Sequence, residues 1–471
     1  MISRPKAKHP RRWSQVGAVC AALLCSACSI GAGRAPAGAA SPGAVAVDIE
    51  DLSRVPQDFQ LLARSAGDRL GIEEGCRRQL LDEFQSQFFA PWSPGVPALD
   101  PAELKSFMNQ VGRAAWYGPN KRKVAAPWLR ELLENCALDR FPSRNDTAIS
   151  VAPGHLRGLP TELPFFETAE GYPFDMLSFP QLKLNEPLRV LHASRDGVWL
   201  FVETGSSNGW IVARDVALVD RGFIDSWMRA PRLVVVRDLA PVPDGRGTGV
   251  FRAKVGTILP LASAGKGWWE VAVASAGEGG RAQSRPVRIP SACAAPFPLA
   301  FGRDNVALVG GELQGQPYGW GEANDQRDCS AMLRDFFLPF GIWLPRTSGD
   351  QIASLPRRLD LAGLTPPEKE ALIRREGLPF LTLFYKPGHI MLYVGVDREG
   401  RPLVFHNAWS IRVEEAGVAV TRILGASAVT TLEPGKELGL VTGSSLLERG
   451  SELGTITERC RKPSPPEAPR R

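Results

Sequence analysis

Asp328-Cys329-Ser330-Ala331-Met332-Leu333-Arg334-Asp335-Phe336-Phe337 reads as the opening of an amphipathic helix with a thiol in its first turn. Asp328 is a good helix cap, and Met332, Leu333, Phe336 and Phe337 recur at helical spacing on one face. Pro339 and Gly341 end the run. A first-turn cysteine feels the positive end of the helix dipole, which favours thiolate. Thiolate is the nucleophile that acyl transfer needs, and backbone N–H groups at a helix start can hold an oxyanion. A cysteine on its own is more often a small buried hydrophobe, so its company decides the matter.

That company is histidine. The chain has five, and His9 lies in a targeting-like leader. Two of the other four follow the cysteine, His389 in Pro387-Gly388-His389-Ile390-Met391-Leu392-Tyr393-Val394-Gly395 and His406 in Val404-Phe405-His406-Asn407. Leu381 to Tyr385, His389 to Val396 and Pro402 to Trp409 read as three strands, joined by turns at Lys386-Pro387-Gly388 and Asp397-Arg398-Glu399-Gly400. In that hairpin, residue 389 lies opposite or diagonal to residue 406, and the two side chains share a face roughly 5–8 Å apart. His389 can then take the thiol proton while His406 holds its second nitrogen and fixes the tautomer. Zinc is the rival use of such residues, but there is no HExxH and no paired CxxC. Neither a metal nor a cofactor is expected.

A chain of 471 residues suggests three or four domains, and 40 prolines with 47 glycines favour short elements and many turns. Arg4, Lys6, Lys8, Arg11 and Arg12 precede an apolar stretch from Val16 to Leu24, the pattern of a bacterial export signal. Leu24-Cys25-Ser26-Ala27-Cys28 resembles a lipobox with Cys28 as the lipidated residue, although Cys25 stands where leucine is usual. The alternative is ordinary cleavage after Ala37-Gly38-Ala39. The expectation is an exported lipoprotein held to a membrane on its periplasmic or outer side. Without residues 1–27 the net charge falls from +6 to +1, so nothing argues for a nucleic-acid surface. Past Cys28 five cysteines remain, Cys76, Cys136, Cys293, Cys329 and Cys460, an odd number that implies a free thiol. Cys76 could pair with Cys136, and Cys293 with Cys460, which would leave Cys329 free.

Composition and period divide the rest. Residues 1–28 are signal, and 29–46 are an Ala/Gly/Pro/Ser-rich tether. Residues 47–145 are helical in pattern. Residues 146–220 switch to short alternating strands, among them Leu188 to Ala193 and Val198 to Val202. Residues 232–295 echo them, with Trp268-Trp269-Glu270-Val271-Ala272-Val273 resembling Trp199-Leu200-Phe201-Val202. Two small SH3-like barrels in tandem fit this better than one larger β-domain. Residues 300–445 form the domain around Cys329. Residues 446–471 read as a tail whose proline-rich end is expected to be disordered. Within 351–378, Pro366 to Arg375 is an added helix with Thr365 as cap and Gly377 as stop, placed either over the cleft or peripherally.

These motifs resemble the NlpC family of papain-like cell-wall peptidases. The likeness is carried by Pro317-Tyr318-Gly319-Trp320-Gly321, Asp328-Cys329-Ser330, Leu344-Pro345-Arg346-Thr347-Ser348, the Gly388 to Gly395 run and His406. Tyr117-Gly118-Pro119-Asn120-Lys121 and Phe174-Asp175 fit the lipoprotein subgroup, which has a helical N-terminal domain and two bacterial SH3-like domains. The resemblance implies a multidomain α+β protein whose papain-like domain packs a helix on an antiparallel sheet. It implies Cys329 as nucleophile, His389 as base and His406 as orienting residue. Asp328, Ser330 and Ser348 would line the substrate site, with Tyr318 beside the oxyanion. Such enzymes cleave between γ-D-glutamate and the diamino acid of peptidoglycan stem peptides. With an adjacent SH3-like domain they favour a free N-terminal L-alanine, for which Asp328 is a candidate partner. Peptidoglycan peptides and a membrane are the expected partners, and a monomer is expected. Two departures stand out. Ala331 follows Asp-Cys-Ser where the family usually has glycine, and Glu322 replaces a second glycine after the aromatic turn. The competing readings are an inert wall-binding module, and an amidase or acyltransferase on the same fold.

Overall fold

The structure is a computed structural model that describes residues 45–67, 70–95 and 99–460. The export signal, the lipid site at Cys28, the tether up to residue 44 and residues 461–471 lie outside the described residues.

After one short helical turn at Glu50–Arg54 come helices α1 (Phe59–Ser65), α2 (Glu74–Phe88), α3 (Pro101–Arg113) and α4 (Ala126–Asn135). Asp58 caps α1 by accepting from the Gln60 N–H, and Asp100 caps α3 by accepting from the Ala102 N–H. On α2, Cys76, Leu80 and Phe84 repeat every four residues and form its buried stripe. The four helices have no core of their own. Phe59, Leu62, Leu80 and Phe84 share a core with Met332, Phe336 and Phe405. Leu104, Phe107, Leu129 and Leu132 instead pack with Phe165, Phe179 and Trp210 of the first barrel. The helices expected over 47–145 are present, and they pack on two neighbouring units, α1 and α2 on one and α3 and α4 on the other. Periodicity reveals a helix's apolar face but not what covers it.

Seven strands between Asp146 and Leu218 form one sheet, and five between Arg232 and Pro296 form another, with a small separate hairpin. Their main cores differ, one around Trp210 and the other around Leu233, Leu259 and Val271, with Leu184 and a cluster of Ile149, Val151, Ala217 and Ala274 at the junction. They are therefore two SH3-like units rather than one. Helix α5 (Arg221–Arg229), capped by Asp220, joins them.

The last unit contains α6 (Arg303–Leu313), α7 (Cys329–Phe337), α8 (Ser348–Ala353), α9 (Pro366–Glu376) and α10 (Leu446–Arg449). Its sheet uses β1 (Val45–Ala46), β2 (Arg358–Asp360), β3 (Thr382–Lys386), β4 (His389–Val396), β5 (Pro402–Glu415), β6 (Val418–Thr430) and β7 (Glu452–Thr455). The spatial order is β1-β6-β5-β4-β3-β7-β2, antiparallel except for β1 beside β6. Side-chain alternation gives the sheet two working faces. Ile390, Leu392 and Phe405 share the core of α7, while Met391, Tyr393 and Val404 pack with Ile373 of α9. Helix α9 opens with a reciprocal Thr365–Glu368 capping box and ends at Gly377. It covers the back of the sheet, not the cleft.

Three long-range features depart from the expectations. Cys76 of α2 is bonded to Cys460, 384 residues away, and Cys136, Cys293 and Cys329 are all free. A Cys76–Cys136 pair does not form because α2 and α4 serve different cores. Strand β7 sits inside the sheet between β3 and β2, so residues 446–460 complete this unit rather than trail from it. Finally, α1 inserts Phe59 edge-on against Phe405, with ring centroids 4.8 Å apart. Gly310 of α6 makes room, since any side chain there would collide with the Phe59 ring.

Candidate active site

Cys329 is buried in the first turn of α7. Its neighbour Asp328 caps the helix by accepting from the Ala331 N–H at 2.9 Å. The same carboxylate accepts from Ser330 Oγ at 2.9 Å, from the Gly321 N–H at 3.2 Å, and from both terminal nitrogens of Arg346, at 3.1 and 2.6 Å. Burial alone would raise the Asp328 carboxyl, but the Arg346 charge and these hydrogen bonds hold it below the usual carboxylate range. Ser330 Oγ also accepts from Arg346 at 2.8 Å. Asp328 and Ser330 therefore brace the helix start. Ser348, at the first position of α8, is half-buried, and its hydroxyl has no hydrogen bond among the described residues.

His389 opens β4, and His406 lies diagonally from it on β5. His389 Nε2 and His406 Nδ1 are 2.8 Å apart. His406 Nε2 lies 2.9 Å from Thr430 Oγ1, and the Thr430 hydroxyl donates to the Thr431 carbonyl at 2.7 Å. These distances determine the proton positions. A hydroxyl has one proton, and that of Thr430 goes to Thr431, so Thr430 Oγ1 accepts from His406 Nε2–H. A neutral His406 then has a bare Nδ1, which accepts from His389 Nε2–H. The bare nitrogen of His389 is Nδ1, the one free to receive the thiol proton.

Both rings are neutral. Burial, with His406 and Lys386 behind it, holds His389 well below the ordinary histidine value, and burial followed by Lys386 pulls His406 down to about 3. The Cys329 thiol is pushed up to about 12 by burial and then by Asp328, against the Ile390 N–H and the charges of Arg346 and Lys386. Burial thus opposes the thiolate that the helix dipole alone would favour. Desolvation of a buried sulfur outweighs a dipole worth about 1 kcal/mol.

Tyr318 stays protonated, because burial and then Asp328 and Cys329 raise its phenol well above the ordinary value. It is thus a hydrogen-bond donor close to Cys329. Its ring lies 5.9 Å from that of Trp409, which meets Tyr172 of the first barrel at 6.1 Å. Phe174 of the same barrel loop meets Trp320 at 5.2 Å. Gly321, at φ +62°, has no room for a side chain because Ser178 of the barrel fills the space. Next to it Glu322 adopts φ +71°, a region that favours glycine. Its buried carboxylate accepts from the Gln181 N–H at 2.5 Å and lies 3.7 Å from Arg346. The replacement of glycine by Glu322 clamps barrel to catalytic unit, which offsets the backbone strain. On the outer side of α7, Arg327 grips Asp335 at 2.7 Å and Asp238 of the second barrel at 2.9 and 2.6 Å, while Lys183 of the first barrel reaches Asp335 at 2.6 Å.

Sequence reading did not assign roles to Arg346, Thr430 or Lys386. Arg346 stands in a quoted motif, and Lys386 directly precedes Pro387-Gly388-His389. Thr430 has no local signal.

Four family models match the chain. Residues 18–141 match the NLPC_P60 stabilising domain, N-terminal. Residues 164–212 match an SH3 domain of SH3b1 type, and residues 220–266 one of SH3b2 type. Residues 315–419 match the NlpC/P60 family. Among solved structures, an NlpC/P60 endopeptidase from Photobacterium damselae subsp. piscicida is similar at 21% identity and TM-score 0.79, over 88% of this chain and 99% of that one. At that identity the likeness speaks to the fold. An NlpC/P60 family protein from Bacillus cereus ATCC 10987 is 16% identical over 60% of this chain and 83% of that one, with TM-score 0.41. No curated protein matches the chain.

Proposed function

Since the chain is an NlpC/P60 protein with two SH3 domains and an N-terminal stabilising segment, we propose that it is a cysteine peptidase hydrolysing the γ-D-glutamyl–diamino acid bond of peptidoglycan stem peptides. The observation that carries this reading is the relay His389–His406–Thr430 behind a helix-start thiol. His389 Nδ1 takes the Cys329 proton as the sulfur attacks the γ-carbonyl carbon. Burial makes a standing thiolate costly, so proton transfer and attack run together. The oxyanion meets the Tyr318 hydroxyl and the Cys329 N–H, which has no intrahelical partner, the Ala331 N–H being held by the Asp328 cap. His389 returns the proton to the leaving amine, and water then opens the thioester with the same imidazole as base.

A preference for a free N-terminal L-alanine is part of this proposal. Its support is the shape of the rim, where Tyr172, Phe174 and Ser178 of the first barrel close on Trp409, Trp320 and Gly321. Asp328 already holds Arg346, so an incoming ammonium would meet a neutralised carboxylate. The rim, more than that charge, would exclude a muramyl group. Lipid attachment at Cys28 also belongs to the proposal, and intact mass of membrane-extracted protein would reveal the added diacylglycerol. A soluble mature form beginning near Ser41 would argue for ordinary cleavage.

The decisive experiment is mass spectrometry of L-Ala-γ-D-Glu-diamino acid peptides, free and N-acylated by muramic acid, after incubation with the protein. Release of the free diamino acid supports the reading, and faster release from the free peptide supports the rim argument. A new amine at L-alanine would mean an amidase, and unchanged peptides an inert binding module.

A further inference from the structure

Lys386 and Arg449 are two cations without a counter-ion among the described residues, at the edge of the catalytic pair. Lys386 and His389 are directly paired residues closing the β3–β4 hairpin across the Pro387-Gly388 turn, where Gly388 takes φ +80°. Directly opposed residues of an antiparallel pair project to one face, so the Lys386 ammonium stands on the side of His389. Its charge acts on Cys329, His389 and His406 alike. Arg449 arrives from α10, and its position is fixed. Lys369 of α9 donates to the carbonyls of Glu448 and Gly450, at 2.7 and 2.8 Å, and the Ser451 N–H donates to the Tyr385 carbonyl at 2.9 Å. The segment bearing Arg449 is thereby stapled alongside Lys386.

Neither side chain has a hydrogen bond or ion pair among the described residues. The carboxylates that could have served are turned elsewhere. Glu448 caps α10 through Ser445 and the Gly443 N–H, and Glu452 pairs with Arg358. Burial, and then Arg449, bring the Lys386 ammonium down to about 8, as befits a cation short of a partner. Two half-buried positive groups held side by side repel unless an anion joins them.

We infer that Lys386 and Arg449 form a subsite for a carboxylate of the leaving diamino acid. This rests on the γ-D-glutamyl reading. His389 must hand a proton to the leaving amine, so the diamino acid lies on the His389 side of the thiol, where Lys386 is. The carboxylate has two possible sources, the main-chain carboxylate of a tripeptide and the side-chain carboxylate of a diaminopimelate residue. Charge-assisted pairing makes either a strong and selective contact.

The test uses three peptides with the full-length protein and its Lys386→Met and Arg449→Met variants. L-Ala-γ-D-Glu-L-Lys offers only the main-chain carboxylate. The diaminopimelate tripeptide amidated at its main-chain end offers only the side-chain one. L-Ala-γ-D-Glu-L-lysinamide offers neither. Arg449→Met should raise KM about ten- to hundredfold on the peptide whose carboxylate is read, with kcat little changed and the lysinamide peptide as in wild type, and Lys386→Met should raise KM on that peptide by about tenfold more than on the lysinamide peptide. Loss on the first peptide alone assigns the main-chain carboxylate, and loss on the second alone the side-chain one. Equal losses on all three would overturn the subsite, because Lys386 would then act on the thiol and imidazole themselves. Should the wild type cut none of the three, the γ-D-glutamyl reading fails. Calorimetric binding of L-Ala-γ-D-Glu-L-Lys to Cys329→Ala protein still tests the subsite, since unchanged affinity on adding Lys386→Met would overturn it.

Discussion

His406 Nε2 and Thr430 Oγ1 stand 2.9 Å apart, and the Thr430 hydroxyl proton is directed to the Thr431 carbonyl. This contact, on the last residue of β6, sets the tautomer of two imidazoles and leaves His389 Nδ1 bare. Replacing Thr430 by valine keeps the shape and removes the acceptor. Turnover should fall about tenfold or more, as expected when the orientation of a base is lost. Thr430→Ser should restore most of it. Thermal unfolding of both variants separates this from a packing loss, and equal activity of Val and Ser variants would sink the tautomer argument.

Cys329→Ala should abolish hydrolysis and leave the near-ultraviolet circular dichroism unchanged, because alanine suits a helix start as well as its interior. His389→Ala should cost more turnover than His406→Ala, since one moves the proton and the other only orients it. A reversed order would exchange the two roles.

The charge cluster on the outside of α7 is a stability element. Removing Asp238 leaves Arg327, which is about 1% exposed, with Asp335 as its sole carboxylate. Asp238→Ala should cost about 3 kcal/mol, because Asp335, which Lys183 also uses, then offsets only part of the Arg327 charge. Chemical denaturation measures it. A change below about 1 kcal/mol would mean that solvent reaches this junction.

The same cluster predicts the response to acid. Burial would raise the Asp335 carboxyl, but Lys183, Arg327 and Lys254 hold it well below the usual range, and Arg327 does the same for Asp238. Both groups favour the folded state in ionised form. Their contribution is complete above the unfolded carboxylate value near 4 and drains away as pH falls below it. Unfolding free energy measured from pH 6 to pH 2 should drop steeply below about 4. Asp335→Asn should flatten that drop.

Reduction of the Cys76–Cys460 bond should destabilise the protein by about 2–4 kcal/mol, because it closes a very long loop. Cys460→Ser should show the loss in a thermal melt, and wild type with reductant should match it.

The proposed catalytic residues were readable because each lies in a short, self-contained pattern. Asp328-Cys329-Ser330 carries its own cap, and His389 and His406 fall on strands whose alternation and turns set their register. What the sequence concealed is what depends on distant partners. Arg346 is visible in a motif, but its bidentate hold on Asp328 is a tertiary fact. Thr430 meets His406 only because β5 and β6 pair as they do. The apolar stripe of α2 is plain, yet no local pattern says that it belongs with α7, or that Cys76 waits for Cys460. The burial that opposes a thiolate was hidden for a similar reason. Helix dipoles can be inferred from a sequence, whereas desolvation depends on everything packed above the sulfur.

The insertion of Phe59 beside Phe405 bears on how the protein is made. A ribosome delivers α1 and α2 hundreds of residues before the sheet that receives them, and their apolar faces must wait through the synthesis of both barrels. The catalytic module cannot ripen until its oldest and newest segments meet. A gene fragment encoding residues 300–460 alone should yield protein that aggregates, and supplying residues 45–95 as a separate peptide should rescue it.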